Sequence, residues 1–200
     1  FKIASFAAMK KLILASKSPR RRELLQQAGY YFTCVSLNTE ESYPGDMPVE
    51  QVGEYLARKK ALDLQHNIGD HEVGITADTT VVFGNKLLEK AANLQEAKLF
   101  LQELSGHSHL VITGVCVLDK KRIKSFSSIT RVYFKHLEEK VIDSYLQKFN
   151  PLDKAGAYGI QEWIGLVGIE KIEGSYHNVV GLPVSDLYEI LKSFGVWPAL

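Results

Sequence analysis

The fifteen residues Lys11-Leu-Ile-Leu-Ala-Ser-Lys-Ser-Pro-Arg-Arg-Arg-Glu-Leu-Leu25 decide the fold. Lys11 to Ala15 is a short apolar run that reads as a buried strand. Ser16, Lys17 and Ser18 form the turn after it. Ser18-Pro19 then opens a helix, with a hydroxyl residue at the N-cap and Pro at the first helical position, where its missing N–H costs nothing. Strand, small polar turn and helix N-terminus together present free backbone N–H groups and the positive end of the helix dipole, a setting that suits an anion. Arg20, Arg21 and Arg22 fall in the first turn of that helix, where the dipole disfavours cations. A solvated arginine face is the plainer reading of any one of them, but an incoming polyanion accounts for the cluster.

Working outward, the first helix runs from Pro19 to about Ala28 and stops at Gly29. Tyr31 to Ser36 reads as a second strand. Leu37 to Met47 is a polar loop carrying Glu40-Glu41, and Pro48 opens a helix to about His66, with an apolar stripe through Val49, Val52, Tyr55, Leu56 and Leu62. Val73 to Thr76 and Val81 to Phe83 read as two strands flanking Ala77-Asp78-Thr79-Thr80. Asn93 caps a helix to Leu104, with Glu96 placed for a capping box. Leu110 to Leu118 and Ile123 to Phe134 form a hairpin. A helix from about Leu137 to Phe149, a Gly-rich loop from Leu152 to Gln161, a strand from Trp163 to Lys171 and a helix capped by Ser185 complete the pattern. Interleaved helices, strands and a hairpin predict an α/β fold with a mixed sheet.

With 200 residues, 46% hydrophobic and 24% charged, the chain has ordinary globular composition. A net charge of +1 supplies no global basic field, so nucleic acid is not expected as a partner. Cys34 and Cys116 lie in apolar runs without C-x-x-C spacing and read as buried core thiols. No apolar run approaches the roughly 18 residues of a membrane span. Apolar Phe1 to Ala8 precedes Met9-Lys-Lys11, which looks like a start. Residues 1–8 are therefore expected to be vector-derived or otherwise non-native, and 9–200 to form one domain. The default is a cytoplasmic protein. Its oligomeric state is open, a homodimer being the commonest arrangement among soluble oligomers.

Five polar clusters stand at the ends of elements: Ser16 to Arg22, Glu40-Glu41, Lys59-Lys60, Asp78-Thr79 and Lys90. Asp78 interrupts an apolar strand pattern, so its carboxylate must be hydrogen-bonded, paired or on a metal. Taken alone, it is equally well a turn residue, and Lys60 and Lys90 look like ordinary surface charges. His107 and His109 alternate on one strand face without a third partner at metal-ligand spacing. There is no Walker A sequence, no G-x-G-x-x-G after a strand and no nucleophile elbow. What remains is anion sites plus carboxylates, the ingredients of a phosphate-handling site with a hard metal.

Six motifs, in order, match one family: Leu14-Ala-Ser-Lys-Ser-Pro-Arg-Arg-Arg-Glu-Leu-Leu25, Ala77-Asp-Thr-Thr-Val-Val82, Leu88-Glu-Lys90, Leu104-Ser-Gly-His-Ser-His109 with Thr113-Gly114, Asp153-Lys-Ala-Gly-Ala-Tyr-Gly-Ile-Gln161, and Gly174-Ser-Tyr-His-Asn-Val-Val-Gly-Leu-Pro183. From Met9 to Phe194 the chain resembles the Maf proteins, nucleoside triphosphate pyrophosphatases that clean nucleotide pools. The resemblance implies an elongated mixed sheet flanked by helices, in two lobes with a central nucleotide-binding cleft. It implies hydrolysis of a nucleoside triphosphate to monophosphate and pyrophosphate with a divalent cation, Mg²⁺ or Mn²⁺. Carried over by motif, Asp78 is the general base or water-positioning carboxylate and Glu41 the second acidic residue, both able to ligate the metal. Ser16, Arg21, Lys60 and Lys90 match phosphate-handling positions. The Asp153–Gln161 loop resembles the branch acting on dTTP and UTP, with Arg20, Thr79 and Gln161 at the positions tied to base preference. Two positions depart from the family pattern: Ala91 stands where Pro usually follows the lysine, and Glu162 where Gly often follows the glutamine. The same reaction on other or modified nucleotides, and a non-catalytic nucleotide-sensing role in cell division, are the competing readings.

Overall fold

The computed structural model describes residues 10–199, so the expectation for residues 1–8 lies outside them. Strand β1 (Lys11–Ala15) alternates in the way its sequence suggests. Leu12 and Leu14 enter one core, and Ile13 and Ala15 enter a second core on the opposite face. The turn leads into α1 (Pro19–Gln27), where the Ser18 hydroxyl accepts the Arg21 N–H at 3.4 Å as N-cap. Strand β2 (Phe32–Val35) follows, then the polar loop. The helix expected from Pro48 begins instead as a 3₁₀ turn at Val49–Gln51 before α2 (Val52–Gln65).

The two strands expected around Asp78 are one, β3 (Glu72–Phe83). Its polar middle does not break it, because β5 pairs with it throughout that stretch, Asp78 opposite Gly114 and Thr79 opposite Thr113. A short β4 (Lys86–Leu87) folds back on β3, and α3 (Leu94–Leu104) is capped by Asn93. The Glu96 carboxylate accepts from the Ala92 N–H, one residue ahead of a standard capping box. The hairpin of β5 (Ser108–Leu118) and β6 (Ile123–Phe134) stands as expected, and α4 (Glu139–Phe149) follows.

The run from Trp163 is not a strand at first. It forms α5 (Trp163–Gly168) before β7 (Ile169–Glu173). A short apolar run cannot be assigned by periodicity, and here burial of Ile164 together with a turn bond from Gly165 N–H to the Glu162 carbonyl selects the helix. Two more helices end the chain. Ser175 caps α6 (Tyr176–Val180), and α7 (Val184–Ser193) starts directly after Pro183 rather than from a Ser185 cap.

The sheet order is β2-β1-β3-β5-β6-β7 with β4 on β3. β1 runs parallel to β2 and β3, and the remaining pairs are antiparallel. The larger core fills one face, with α1, α3, α4 and α7 contributing Leu25, Leu101, Leu104, Tyr145 and Leu187. Each fully buried Leu in it contributes about 1.5–3 kcal/mol. The smaller core lies under α2, where Ala57 and Ala61 meet Ile13 and Cys116. Cys116 is buried as expected. Cys34 is exposed, because β2 is an edge strand packed on one side only.

Small residues bring α2 down onto the sheet. A Cβ on Gly114 would lie 2.3 Å from the Glu54 backbone, and one on Gly53 would lie 3.3 Å from the Ile112 carbonyl. The Thr76 hydroxyl donates to the Ala57 carbonyl at 2.7 Å, tying helix and strand at the same place.

Candidate active site

The site exists because β1 stops early. β1 pairs with β3 only as far as Ala15 opposite Thr76, whereas β3 continues to Phe83. Past that point β3 is paired with β5 on one side, and its other edge is open from Ala77 to Thr80, until the β4 segment takes it up at Val81–Phe83. The carboxyl ends of parallel strands in α/β sheets regularly leave such a crevice. Here it becomes a cleft of about 940 Å³. All nine residues singled out from the sequence line it: Ser16, Arg20, Arg21, Glu41, Lys60, Asp78, Thr79, Lys90 and Gln161.

Its charged centre is Lys60, projecting from α2. The ammonium donates to Asp78 at 2.5 Å and to Glu41 at 2.7 Å, with both Lys60 and Asp78 largely shielded from solvent. The Glu41 carboxylate has Lys90 at 3.9 Å on its other oxygen. Burial alone would raise the Glu41 carboxyl, but the Lys60 hydrogen bond and the charges of Lys60, Lys90 and Arg21 hold it below the ordinary range. Two carboxylates and two ammonium groups thus meet from four separate parts of the chain. Lys60 is therefore not an ordinary solvated charge, whereas Lys90 stays exposed at the rim of the cluster.

Arg21 organises the opposite wall. Its Nε donates to the Gly181 carbonyl at 2.8 Å, Nη1 to the Ala77 carbonyl at 2.9 Å and to Ser16 Oγ at 3.4 Å, and Nη2 to Thr79 Oγ1 at 2.9 Å. Burial lowers its pKa, with the Asp78 charge opposing that shift, but a guanidinium stays charged. Four of its five N–H directions are therefore spent on the protein itself. From Thr79 the contacts continue inward: Thr79 Oγ1 to Thr113 Oγ1 at 2.9 Å, and Thr113 to the Asn178 carbonyl at 3.1 Å. The Asn178 amide donates to the Val111 carbonyl and to Thr130 Oγ1, both at 3.0 Å.

The Gly-rich loop forms the third wall. Arg20 reaches across to Asp153 at 3.0 Å, and Lys154 bridges Asp153 at 2.7 Å and Glu162 at 2.9 Å. Gly156 N–H bonds the Leu88 carbonyl at 2.9 Å, and Ala155 bridges to Lys90, so the loop rests on the segment that carries Lys90. Glu162 also lines the cleft, and its negative charge is paired with Lys154 and hydrogen-bonded by the Tyr145 hydroxyl.

The two histidines part company. His107 is exposed ahead of β5, while His109 is fully buried, its Nε2 2.7 Å from the Tyr158 hydroxyl and its ring stacked on Phe134. Sequence reasoning passed over Lys154, Thr113 and Asn178. The last two belong to motifs that were noted without a role, and Gly181 in the same motif supplies Arg21 with its Nε acceptor.

Among the described residues no group of three or more His, Cys, Asp and Glu is arranged to hold a metal. Asp78 and Glu41 nonetheless point their oxygens at one shared cation position, taken by the Lys60 ammonium. Two hard oxygen donors of this kind fit Mg²⁺, which binds through one or two carboxylates together with substrate phosphates. No helix among the described residues is long and apolar enough to cross a membrane.

Fold and site together define an α/β protein whose charged cleft opens at the ends of parallel strands. The family model described as "Maf-like protein" matches residues 11–194, and the chain belongs to this family. A dTTP/UTP pyrophosphatase from Bacteroides fragilis is 47% identical over 183 residues, covering 91% of this chain and 95% of that protein. One from Parabacteroides distasonis is 46% identical over 185 residues, covering 92% and 96%. One from Porphyromonas gingivalis is 44% identical over 188 residues, covering 92% and 94%. A solved nucleoside-triphosphatase, or dITP/XTP pyrophosphatase, from Mycobacterium abscessus aligns at 12% identity with a TM-score of 0.36. It covers 62% of this chain and 72% of its own, a likeness too low to argue from.

Proposed function

We propose that the protein hydrolyses dTTP and UTP to the nucleoside monophosphate and pyrophosphate. The observation that carries this is the convergence of Asp78, Glu41, Lys60 and Lys90 in one cleft, in a chain whose relatives bear that activity in their names. The unbroken run of the sheet from β2 to β7 supports treating it as one domain. A cytoplasmic setting goes with a nucleotide-pool substrate and with two free cysteines.

The triphosphate lies between the α1 N-terminus and the lysines. Backbone N–H groups after Ser16, one remaining Arg21 donor, Lys60 and Lys90 offset its charge. Asp78 orients a water, or takes its proton, for attack at the α-phosphorus, and pyrophosphate leaves. General-base assistance of this kind is worth about 10²–10⁴ in rate. Asp78 and Glu41 would hold a divalent cation, Mg²⁺ or Mn²⁺, which neutralises phosphate charge and acidifies bound water when present. Gln161 presents a donor and an acceptor to the base, matching a uracil or thymine edge, while Arg20 and Thr79 shape the wall beside it. An unmatched buried amide costs about 1–3 kcal/mol, which amounts to discrimination of tens of fold.

The test is pyrophosphate release from dTTP, UTP, CTP, GTP and dATP with Mg²⁺ or Mn²⁺, and again with chelator. Release from dTTP and UTP alone, abolished by chelator, is expected. Release from the other bases alone overturns the base preference. Nucleotide binding without any release overturns the enzyme reading and leaves a sensor.

A further inference from the structure

The turn that carries Gln161 is fastened at both its ends by side-chain contacts. We propose that Tyr145, Glu162 and Lys154 are positioning residues for base recognition, fixing the direction in which Gln161 faces the pocket. This rests on the reading of Gln161 as the residue that contacts the base.

Residues Gly159 to Glu162 form a tight turn, closed by the Glu162 N–H donating to the Gly159 carbonyl at 3.0 Å. Inside it, Ile160 is buried and Gln161 is exposed on the cleft side. Tyr145, fully buried on α4, sets its hydroxyl beneath both ends of the turn. The oxygen accepts the Gly159 N–H at 3.1 Å, and the proton is donated to the Glu162 carboxylate. The other Glu162 oxygen takes Lys154 at 2.9 Å, and the contacts run on through Asp153 to Arg20 in the first turn of α1.

Two further observations mark this as a built arrangement. Glu162 occupies the N-cap position of α5 yet makes no side-chain capping bond, because its carboxylate is committed to Tyr145 and Lys154. Just upstream, Gly156 and Ala157 lie side by side in the left-handed region, at φ +68° and +56°. That conformation is costly for alanine and persists only where the surroundings over-determine it. Ala157 is completely buried there. Burial also drives the Tyr145 phenol pKa upward, with the Glu162 carboxylate adding to the effect, so the hydroxyl keeps the proton it donates.

A support of this kind acts on the ratio between bases, since the phosphate end of the cleft is held by other residues. UTP and CTP, which differ at position 4 of the base and in the protonation of N3, are the discriminating pair. Pyrophosphate release is measured for both with the unaltered protein and with Tyr145→Phe, Glu162→Ala, Glu162→Gln and Gln161→Ala. Tyr145→Phe and Glu162→Ala are expected to lower the kcat/KM ratio of UTP over CTP about tenfold, mainly through KM for UTP. Glu162→Gln keeps an oxygen for the Tyr145 hydroxyl and should retain most of the ratio. If Gln161→Ala changes the ratio but Tyr145→Phe and Glu162→Ala leave it alone, or slow both nucleotides equally, the proposal is overturned and the base reading stands. If Gln161→Ala also leaves the ratio unchanged, the base reading fails and takes this proposal with it. Should Tyr145→Phe not fold, Glu162→Ala, checked by urea denaturation, decides alone.

Discussion

Lys60 and Asp78 meet at 2.5 Å although they lie on different layers of the fold, one on α2 and the other on the strand beneath it. The pairing gives the Asp78 carboxylate a cationic partner where burial limits its contact with water. Glu41 shares the same ammonium, so one lysine keeps two carboxylates in place before any substrate arrives.

Asp78→Asn keeps size and hydrogen bonding but removes the proton acceptor. Turnover should fall at least about a hundredfold, with nucleotide affinity near normal by calorimetry on a non-hydrolysable analogue. Near-normal turnover would take Asp78 out of the chemistry.

Lys60→Met removes the main group holding Glu41 low. The Glu41 carboxyl should then titrate higher in a ¹³C NMR experiment. The sign for stability follows from the direction of the shift. A carboxyl lowered by folding contributes above its ordinary value of 4.5 and loses that contribution as pH falls through the folded value. The variant should therefore lack this part of the acid-induced loss. An unmoved Glu41 titration would mean Lys90 and Arg21 suffice.

His109 gives a second pH dependence of distinct origin. Burial lowers its pKa from 6.5 to about 3, and Nδ1 has no partner. Between those values the unfolded chain takes a proton that the native state refuses, so stability drops as pH falls from 6.5 toward 3. His109→Gln, polar but not titrating, should flatten that limb by up to about 1.4 kcal/mol per pH unit. Urea midpoints across pH 3.5–7 measure it, and parallel curves would place a proton on the native ring.

Gly114→Ala would push a methyl into the Glu54 backbone. Overpacking of this kind costs about 1–3 kcal/mol. Because α2 also carries Lys60, turnover should drop even at temperatures where the variant is fully folded. Gly45→Ala, which meets nothing within 4 Å, is the control and should change neither. Equal behaviour of the two variants would mean the helix re-seats freely.

Much of this was legible in the chain because the signals were local. Ser18 and Asn93 are side-chain caps, readable from their neighbours, and a carboxylate inside Val73–Val82 has to be accounted for wherever it falls. Lys60 and Lys90 carried no such signal, since a lysine on a helix face or after a turn looks solvated until the tertiary fold sets a carboxylate beside it. Glu162 was legible as a charge but not as a direction. Its carboxylate turns toward Tyr145, seventeen positions earlier, and no local pattern encodes that. The short helix α5 was missed for the complementary reason, that six apolar and glycine residues satisfy helix and strand patterns equally.

The inward line from Arg21 through Thr79 and Thr113 to Asn178 has a sense as well as a path. Thr113 gives its proton to the Asn178 carbonyl, which can only accept, so the contact between the two threonines must carry the Thr79 proton toward Thr113. Arg21 meanwhile donates to Thr79. Each hydroxyl therefore points away from the cleft, like compass needles in a common field, and none can reverse without stranding its neighbour. Toward the cleft the Thr79 hydroxyl can therefore only accept, and a group that docks against that oxygen must bring the hydrogen.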